Sequence, residues 1–130
     1  MDEQRKHYSD KLSYEIDASD LQASLNAGER IVVVDARSPE AYRREHIPGS
    51  LNIPHRTMSA ETTDRLDREA LIVTYCDGIG CNASTKGALK MLELGFRVKE
   101  LIGGLEWWKR DGYQTHGAEG SDPPARCGRG

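Results

Sequence analysis

The chain contains no long hydrophobic run and no large excess of charge of one sign. A membrane-spanning helix needs ~18–20 consecutive apolar residues, and no stretch approaches that length. The 18 Lys and Arg residues alternate with 21 Asp and Glu residues and leave a formal charge of −3, which argues against a nucleic-acid-binding surface. Residues 1–7 are too polar for a secretory signal peptide. We therefore expect a cytoplasmic protein that binds neither nucleic acid nor a membrane.

Cysteine is scarce, with only Cys76, Cys81 and Cys127 in the chain. An odd number of cysteines, two of them close together, is unlike the disulfide framework of a secreted protein. It is more typical of redox or nucleophilic chemistry in a reducing compartment. The histidines and cysteines also lack the paired spacing of a structural zinc motif, so we predict no metal site and no cofactor.

Strand-like and helix-like patterns alternate along a chain whose 130 residues suit one domain. The run Ile31–Val34 is rich in β-branched apolar residues, as is typical of a strand covered on both faces. This order predicts an α/β fold with a parallel sheet and helices on both faces. Further strands are predicted at 51–54, 71–75 and 98–101, and helices around Leu21, Tyr42, Leu92 and Trp108 and from Ala60 to Leu66.

Both ends of the chain differ in composition from the middle. Residues 1–13 predict a helical extension whose sparse apolar stripe, Tyr8, Leu12 and Tyr14, could lie on the domain. The domain itself is assigned to residues 14–117. Residues 118–130 are rich in glycine and proline and predict a disordered tail, in which we assign no role to Cys127.

The segment from Tyr75 to Ser84 is the most informative part of the sequence. It places Cys76 where an apolar strand pattern stops, and Gly78 and Gly80 follow in a turn that leads into a helical pattern. In open α/β sheets ligands bind at the carboxyl ends of the strands, and a helix amino terminus there offers N–H groups to an anion. We therefore predict Cys76 as a nucleophile, against the simpler reading of an inert buried thiol.

Three separated segments together resemble the single-domain rhodanese-like sulfurtransferases over residues 14–117. They are Val33–Tyr42 continuing through Glu45–Pro54, the Tyr75–Cys76 step into its loop, and Leu101–Trp108 followed by Gly112–Tyr113. The resemblance implies a central five-stranded parallel sheet and a Cys76 that accepts a sulfane sulfur as a persulfide. It also implies a cradle of backbone amides around that persulfide, from Asp77, Gly78, Ile79, Gly80, Cys81, Asn82 and Ala83.

The loop departs from the common family pattern in two ways. It is about two residues longer, and Ala83 and Ser84 stand opposite the arginine and serine that usually end it. It thus looks like a family variant with a longer loop and a second cysteine. Cys81 either resolves the persulfide, accepts the sulfur in a relay, or simply packs the inner side of the loop. Without the loop arginine we expect a modest affinity for thiosulfate.

Several side chains outside the loop are candidates for the site edge. Arg37 and Lys86 are the cations that we consider for facing a bound anion, although a network of Arg37 with Asp35 that supports the fold is the favoured reading. His46 is expected to bond to backbone rather than act as a base. The remaining candidates are His55 and Arg56 at the pocket rim, Asp77 turned to solvent or to a loop amide, and Trp107 and Trp108 as packing residues.

These observations favour a sulfurtransferase that moves a sulfane sulfur through a Cys76 persulfide. The expected donor is thiosulfate or another persulfide, and the acceptor is a thiophile, with a protein as one candidate. A phosphatase is disfavoured because its cysteine loop relies on an arginine to hold phosphate oxygens, and neither Asn82 nor Ala83 supplies one. The alternative is a non-catalytic module that senses oxidation or binds a protein and uses Cys76 and Cys81.

Overall fold

A computed structural model describes residues 2–120, which fold around a five-stranded parallel sheet. The strands stand in the order β1-β5-β4-β2-β3, and every neighbouring pair is parallel. The strands are β1 (Glu15–Ile16), β2 (Ile31–Asp35), β3 (Leu51–Asn52), β4 (Leu71–Tyr75) and β5 (Arg97–Leu101). The helices are α1 (Asp2–Tyr14), α2 (Ala18–Asn26), α3 (Pro39–Arg44), α4 (Ala83–Glu93) and α5 (Gly104–Arg110), with a 3-10 helix at His55–Thr57.

The sheet has a hydrophobic core on each face, as the sequence predicted. Successive side chains of a strand point to opposite faces, so neighbours in β2 and β4 belong to different cores. Val33 and Val73 lie in the core that holds residues of α2 and α5, and Val34 and Ile72 lie in the one beneath α4. The largest partners on the first face are Leu21, Tyr75, Leu105 and Trp108, and on the second Met91 and Phe96.

The strand order creates a switch point between β2 and β4. The two strands pair along their length, from Ile31 opposite Leu71 to Asp35 opposite Tyr75. The next strand after β2 lies on one side of this pair, and the next strand after β4 lies on the other. Connections that diverge in this way leave a crevice at the carboxyl ends of the strands. Residues 36–37 and 76–77, which follow β2 and β4, lie at this crevice.

Three short segments differ from the sequence expectations. The strand β1 went unpredicted because two residues cannot show a period-two pattern. The strand expected at 51–54 stops at Asn52. The helix expected from Ala60 to Leu66 is instead a series of turns. Here the hydroxyls of Thr62 and Thr63 donate to the carbonyls of Thr57 (2.8 Å) and Ser59 (2.7 Å), and such bonds compete with regular helix.

The helix α1 forms as predicted, but its apolar stripe is largely exposed. No residue of α1 is buried, and Leu12 is 77% exposed. The end of the helix is held instead through its backbone, where the Lys99 ammonium donates to the Leu12 carbonyl at 3.2 Å. Tyr8 and Leu12 are therefore mainly exposed, whereas Tyr14 lines a groove with Leu71 and Val98.

The helix α4 also turns a different face inward from the one its leucines suggested. Leu89 and Leu92 are 56% and 60% exposed, whereas Ser84, Gly87 and Met91 are buried. A Cβ at Gly87 would lie 3.2 Å from the Ala36 Cβ, so this face approaches the sheet edge too closely for a large side chain. Small residues therefore set the orientation of α4.

The last described residues continue past the end of the predicted domain. The amides of Ala118 and Glu119 donate to the carbonyls of Arg43 and Arg44, at 3.0 Å and 2.6 Å. Residues 121–130, including Cys127 and most of the predicted tail, lie outside the described residues. Within residues 2–120 no helix combines the length and apolar character needed to cross a membrane.

Candidate active site

Cys76 lies directly after β4 and is only 1% exposed. The contacts of its sulfur are with backbone carbonyls. The thiol donates to the carbonyl of Cys81 at 3.2 Å and, more weakly, points to that of Gly78 at 3.9 Å. The position at the crevice agrees with the sequence prediction, and the depth of burial is what the structure adds.

Two opposing influences act on the pKa of the Cys76 thiol, and the net shift is upward. Burial raises the pKa most, and the neighbouring Cys81 thiol raises it further. The backbone amides of Ser84 and Gly78 lower it, because N–H groups stabilise the thiolate. Ser84 lies in the first turn of α4, where amides have no partner inside the helix. The cradle of backbone amides from Asp77 to Ala83 stays a prediction; Gly78 belongs to that range, and Ser84 lies one residue beyond it.

The start of α5 holds the backbone on both sides of the peptide bond between Cys76 and Asp77. The amide of Leu105 donates to the Cys76 carbonyl at 2.9 Å, and that of Glu106 donates to the Asp77 carbonyl at 2.8 Å. Gly104 has φ +57°, and a Cβ there would lie 2.3 Å from the Cys76 oxygen. Sequence reasoning identified the Gly103–Gly104 pair only as the start of a helix, since its contact with Cys76 spans 28 residues.

Cys81 lies in front of Cys76, on the wall of a cleft of about 610 Å³. Cys81 is partly exposed. Asp77 supplies the one carboxylate among the described residues that line the cleft. The other charged side chains of the lining are basic, which favours an anionic ligand. These are Arg37, Arg44, His55 and Arg56. His55 and Arg56 therefore stand at the rim, as predicted.

Arg37 is buried and its guanidinium is committed to protein partners. It binds both carboxylate oxygens of the fully buried Asp35, and its Nη2 donates to the Glu45 carbonyl at 2.6 Å. Burial alone would lower the pKa of Arg37, but the bonds to Asp35 and Asp77 raise it. The favoured sequence reading, a polar network that supports the fold, is thus the one that the contacts support.

Asp77 closes this network from the solvent side. Its side chain is 71% exposed, as expected, but its Oδ1 accepts from the Arg37 Nη1 at 2.8 Å rather than from a loop amide. A carboxylate therefore pairs with Arg37 at the cleft, which both residues line. The sequence could not indicate this pair because its members are 40 residues apart.

Lys86 is exposed on α4 and is not among the described residues that line the cleft. Its influence is indirect. Burial lowers the pKa of His55 most, and the positive charge of Lys86 lowers it further. A role for Lys86 in facing a bound anion stays a prediction.

His46 bonds to backbone, as predicted. Its Nδ1 lies 2.7 Å from the Tyr42 carbonyl, and its ring stacks on the Tyr42 ring at 3.8 Å.

Trp108 is a core residue whose indole donates to the Gln114 carbonyl at 2.8 Å, while Trp107 lies at the surface under Arg110. Both tryptophans are packing residues, as expected.

A hydroxyl at the end of β4 was missed by sequence reasoning. The Tyr75 hydroxyl accepts from the Ile47 amide at 3.0 Å and lies 3.1 Å from the Ser50 hydroxyl. These bonds tie residues 47–50 to the strand that delivers Cys76. A tyrosine at the end of an otherwise apolar strand was the available signal.

Within residues 2–120, no three His, Cys, Asp or Glu side chains form a group that could hold a metal ion.

A parallel sheet in this order, with a cysteine loop between β4 and α4, is the arrangement of a rhodanese-like domain. The family model for the Rhodanese-like domain matches residues 17–111, and the chain belongs to this family. A thiosulfate sulfurtransferase GlpE from Coxiella burnetii is 36% identical over 81 residues, which make up 61% of this chain and 72% of that protein.

Two other relatives extend the comparison. The crystal structure of BH2092 from Bacillus halodurans superimposes with a TM-score of 0.88 at 47% identity, covering 92% of this chain and 88% of that one. The HTH-type transcriptional regulator Rv0324 of Mycobacterium tuberculosis is 36% identical over 102 residues. The match takes in 75% of this chain but only 42% of the regulator, so this chain spans less than half of that protein.

Proposed function

We propose that this protein is a sulfurtransferase that carries a sulfane sulfur as a persulfide on Cys76. The observation that carries the proposal is the place of this thiol, at the carboxyl end of β4 with its Sγ 3.2 Å from the Cys81 carbonyl and the start of α4 next along the chain. Backbone hydrogen bonds of Gly78 and Ser84 lower the pKa of the thiol there. Amides that favour a thiolate also suit the terminal sulfur of a persulfide, which is an anion as well. The relatives named thiosulfate sulfurtransferase support the same reaction class.

The first step is a substitution at sulfur. The Cys76 thiolate attacks the outer sulfur of thiosulfate, a new S–S bond forms at Cys76, and the bond to the sulfite group breaks. Sulfite leaves with the electron pair of that bond. The products are a Cys76 persulfide and sulfite, and the total charge is unchanged.

The second step returns the enzyme to its starting state. A thiophilic acceptor attacks the outer sulfur of the persulfide, and the S–S bond breaks with its electrons going to Cys76. With cyanide as the acceptor, the products are thiocyanate and the Cys76 thiolate. A protein thiol is a second candidate acceptor in place of cyanide.

The charges of the cleft influence which sulfur donors bind there. Arg44 and Arg56 attract an anion, whereas Asp77 repels one and already occupies Arg37. A donor of lower charge than the thiosulfate dianion, such as a small persulfide, meets less repulsion from Asp77. We therefore include both thiosulfate and persulfides as donors.

A protein with Cys76 as its only cysteine tests the proposal directly. In the double variant Cys81→Ser, Cys127→Ser, thiosulfate should add the mass of one sulfur atom per chain. Cyanide should then remove that mass and yield thiocyanate. The matched control adds Cys76→Ser to the same background and should gain no mass. A folded single-cysteine protein that gains no sulfur would contradict the proposal and favour the alternative of a redox-sensing or protein-binding module.

A further inference from the structure

The two loop cysteines are arranged one behind the other. The Cys76 thiol donates to the carbonyl of Cys81 at 3.2 Å, and the Cys81 side chain is close enough to raise the pKa of Cys76. Cys76 is 1% exposed, whereas Cys81 lines the cleft. An acceptor that enters the cleft therefore meets Cys81 before it reaches a sulfur on Cys76.

The outer part of the loop between the two cysteines, Ile79 and Gly80, has little packed around it. A Cβ at Gly80 would have no atom within 4 Å, and Ile79 is 74% exposed. One turn bond, from the Cys81 amide to the Gly78 carbonyl at 3.2 Å, closes the loop. A disulfide needs Cβ atoms about 3.5–4.5 Å apart. A loop with little side-chain packing can reach that geometry by small backbone changes.

From this arrangement we infer that Cys81 resolves the persulfide on Cys76 and releases the transferred sulfur as hydrosulfide. The inference rests on the proposed function. The Cys81 thiolate attacks the inner sulfur, the Sγ of Cys76, and a disulfide forms between the two residues. The bond to the outer sulfur breaks, and that sulfur, an anion in the persulfide, takes up the proton that the Cys81 thiol gave up and leaves with the electron pair as hydrosulfide. The two cysteines are oxidised by two electrons and the sulfane sulfur is reduced by two.

The leaving groups favour this step over a relay of the outer sulfur to Cys81. In a relay the Cys76 thiolate must leave, and exchange at sulfur is slower when the leaving thiol has a higher pKa. Burial raises the pKa of Cys76, so its thiolate leaves more slowly than that of an ordinary cysteine. Resolution expels hydrosulfide instead and leaves the buried sulfur in a neutral disulfide.

Resolution also defines a second substrate class. Each release of hydrosulfide leaves the enzyme as a disulfide, so a thiol reductant, most simply a dithiol, reduces Cys76 and Cys81 before the next cycle. Such a dithiol attacks the exposed sulfur of Cys81 from the cleft and leaves as its own disulfide. The complete reaction then takes a sulfane sulfur and a dithiol and yields hydrosulfide and an oxidised dithiol.

A single-turnover experiment tests the inference without a reductant. Reduced Cys127→Ser protein, which retains both loop cysteines, is mixed with thiosulfate. Free sulfide is then measured beside the intact mass. We expect about one sulfide per chain and a Cys76–Cys81 disulfide in the peptide map. The Cys81→Ser variant in the same background should retain the added sulfur and release at least tenfold less sulfide. Ile79→Ser is the matched loop control and should behave like its parent.

The outcomes separate this inference from the proposed function. If the parent keeps a stable added sulfur and releases no sulfide, while Cys81→Ser also becomes loaded, resolution is wrong and the sulfurtransferase proposal stands. If the Cys81→Ser variant fails to take up sulfur, the proposed nucleophile is wrong and the inference fails with it. Sulfide release by Cys81→Ser at the parent's level would also overturn resolution.

Discussion

The amide of Leu105 donates a 2.9 Å hydrogen bond to the carbonyl of Cys76, so α5 holds the residue that we propose as the sulfur carrier. This contact exists because Gly104 brings the helix start against the strand end. The φ of Gly104 is +57°, and a Cβ at this residue would lie 2.3 Å from the Cys76 carbonyl oxygen.

The substitution Gly104→Ala should therefore reduce both stability and sulfur loading. We expect unfolding in urea to show a loss of about 2–4 kcal/mol, because the new Cβ meets backbone and the positive φ is strained. Gly28→Ala is the matched control, since Gly28 has φ +74° but open space around it. It should cost about 1 kcal/mol and leave loading unchanged. Equal stabilities of the two variants would refute the role assigned to this contact.

Arg37 should matter more for stability than an exposed arginine does. Arg37→Ala leaves the fully buried Asp35 carboxylate without its ion-pair partner, and breaking a buried pair in this way costs about 3–5 kcal/mol. Arg30→Ala removes the exposed pairs with Asp67 and Glu69 and should cost less than about 1 kcal/mol. Urea unfolding of both variants measures the difference. A loss for Arg37→Ala no larger than that for Arg30→Ala would show that the network does not support the fold.

The rate of sulfur loading should rise with pH into the alkaline range. The thiolate is the reactive form, and burial raises the pKa of Cys76 above its ordinary value of about 8.5. The thiolate fraction is therefore low at neutral pH and increases as the pH rises through the shifted pKa. Initial rates of loading in the single-cysteine protein, measured over a series of pH values, should show this increase. A rate already constant below about pH 7 would mean that the amides outweigh burial.

Removal of the Asp77 charge should strengthen the binding of anionic donors. Asp77→Asn removes the carboxylate that repels an anion and weakens its hold on the Arg37 Nη1. We expect a decrease of about 2–10-fold in the KM for thiosulfate, with the gain reduced in high salt because the cleft is open to solvent. Asp64→Asn, an exposed carboxylate that does not line the cleft, is the control. An unchanged KM in Asp77→Asn would show that Asp77 does not limit donor binding.

Much of the architecture could be predicted because its signals are local. The β-branched run Ile31–Val34 and the apolar run Leu71–Tyr75 indicate strands buried on both faces, and both lie at the centre of the sheet. Elements without a local period were missed or misread. The strand β1 is two residues long, and its position depends on pairing with β5, which lies more than 80 residues further along the chain.

The orientation of α4 shows a second limit of sequence patterns. Leu89 and Leu92 have helical spacing and indicate an inward face, but both are exposed. The close approach of Gly87 to Ala36 and Met58 decides which face turns inward. Where two elements approach closely, a residue without a side chain fits best, and hydrophobic periodicity does not indicate such a position.

By itself the sequence determined the alternating α/β order, the place of Cys76 at the end of a strand and the absence of an arginine in its loop. Those properties follow from neighbouring residues and from strand-to-helix punctuation. Only the tertiary structure decided that Cys76 is buried behind Cys81, that Arg37 is held by Asp35 and Asp77, and that α5 bonds to the Cys76 carbonyl. These contacts join residues far apart in the chain, and the packing of the sheet edge is what brings them together.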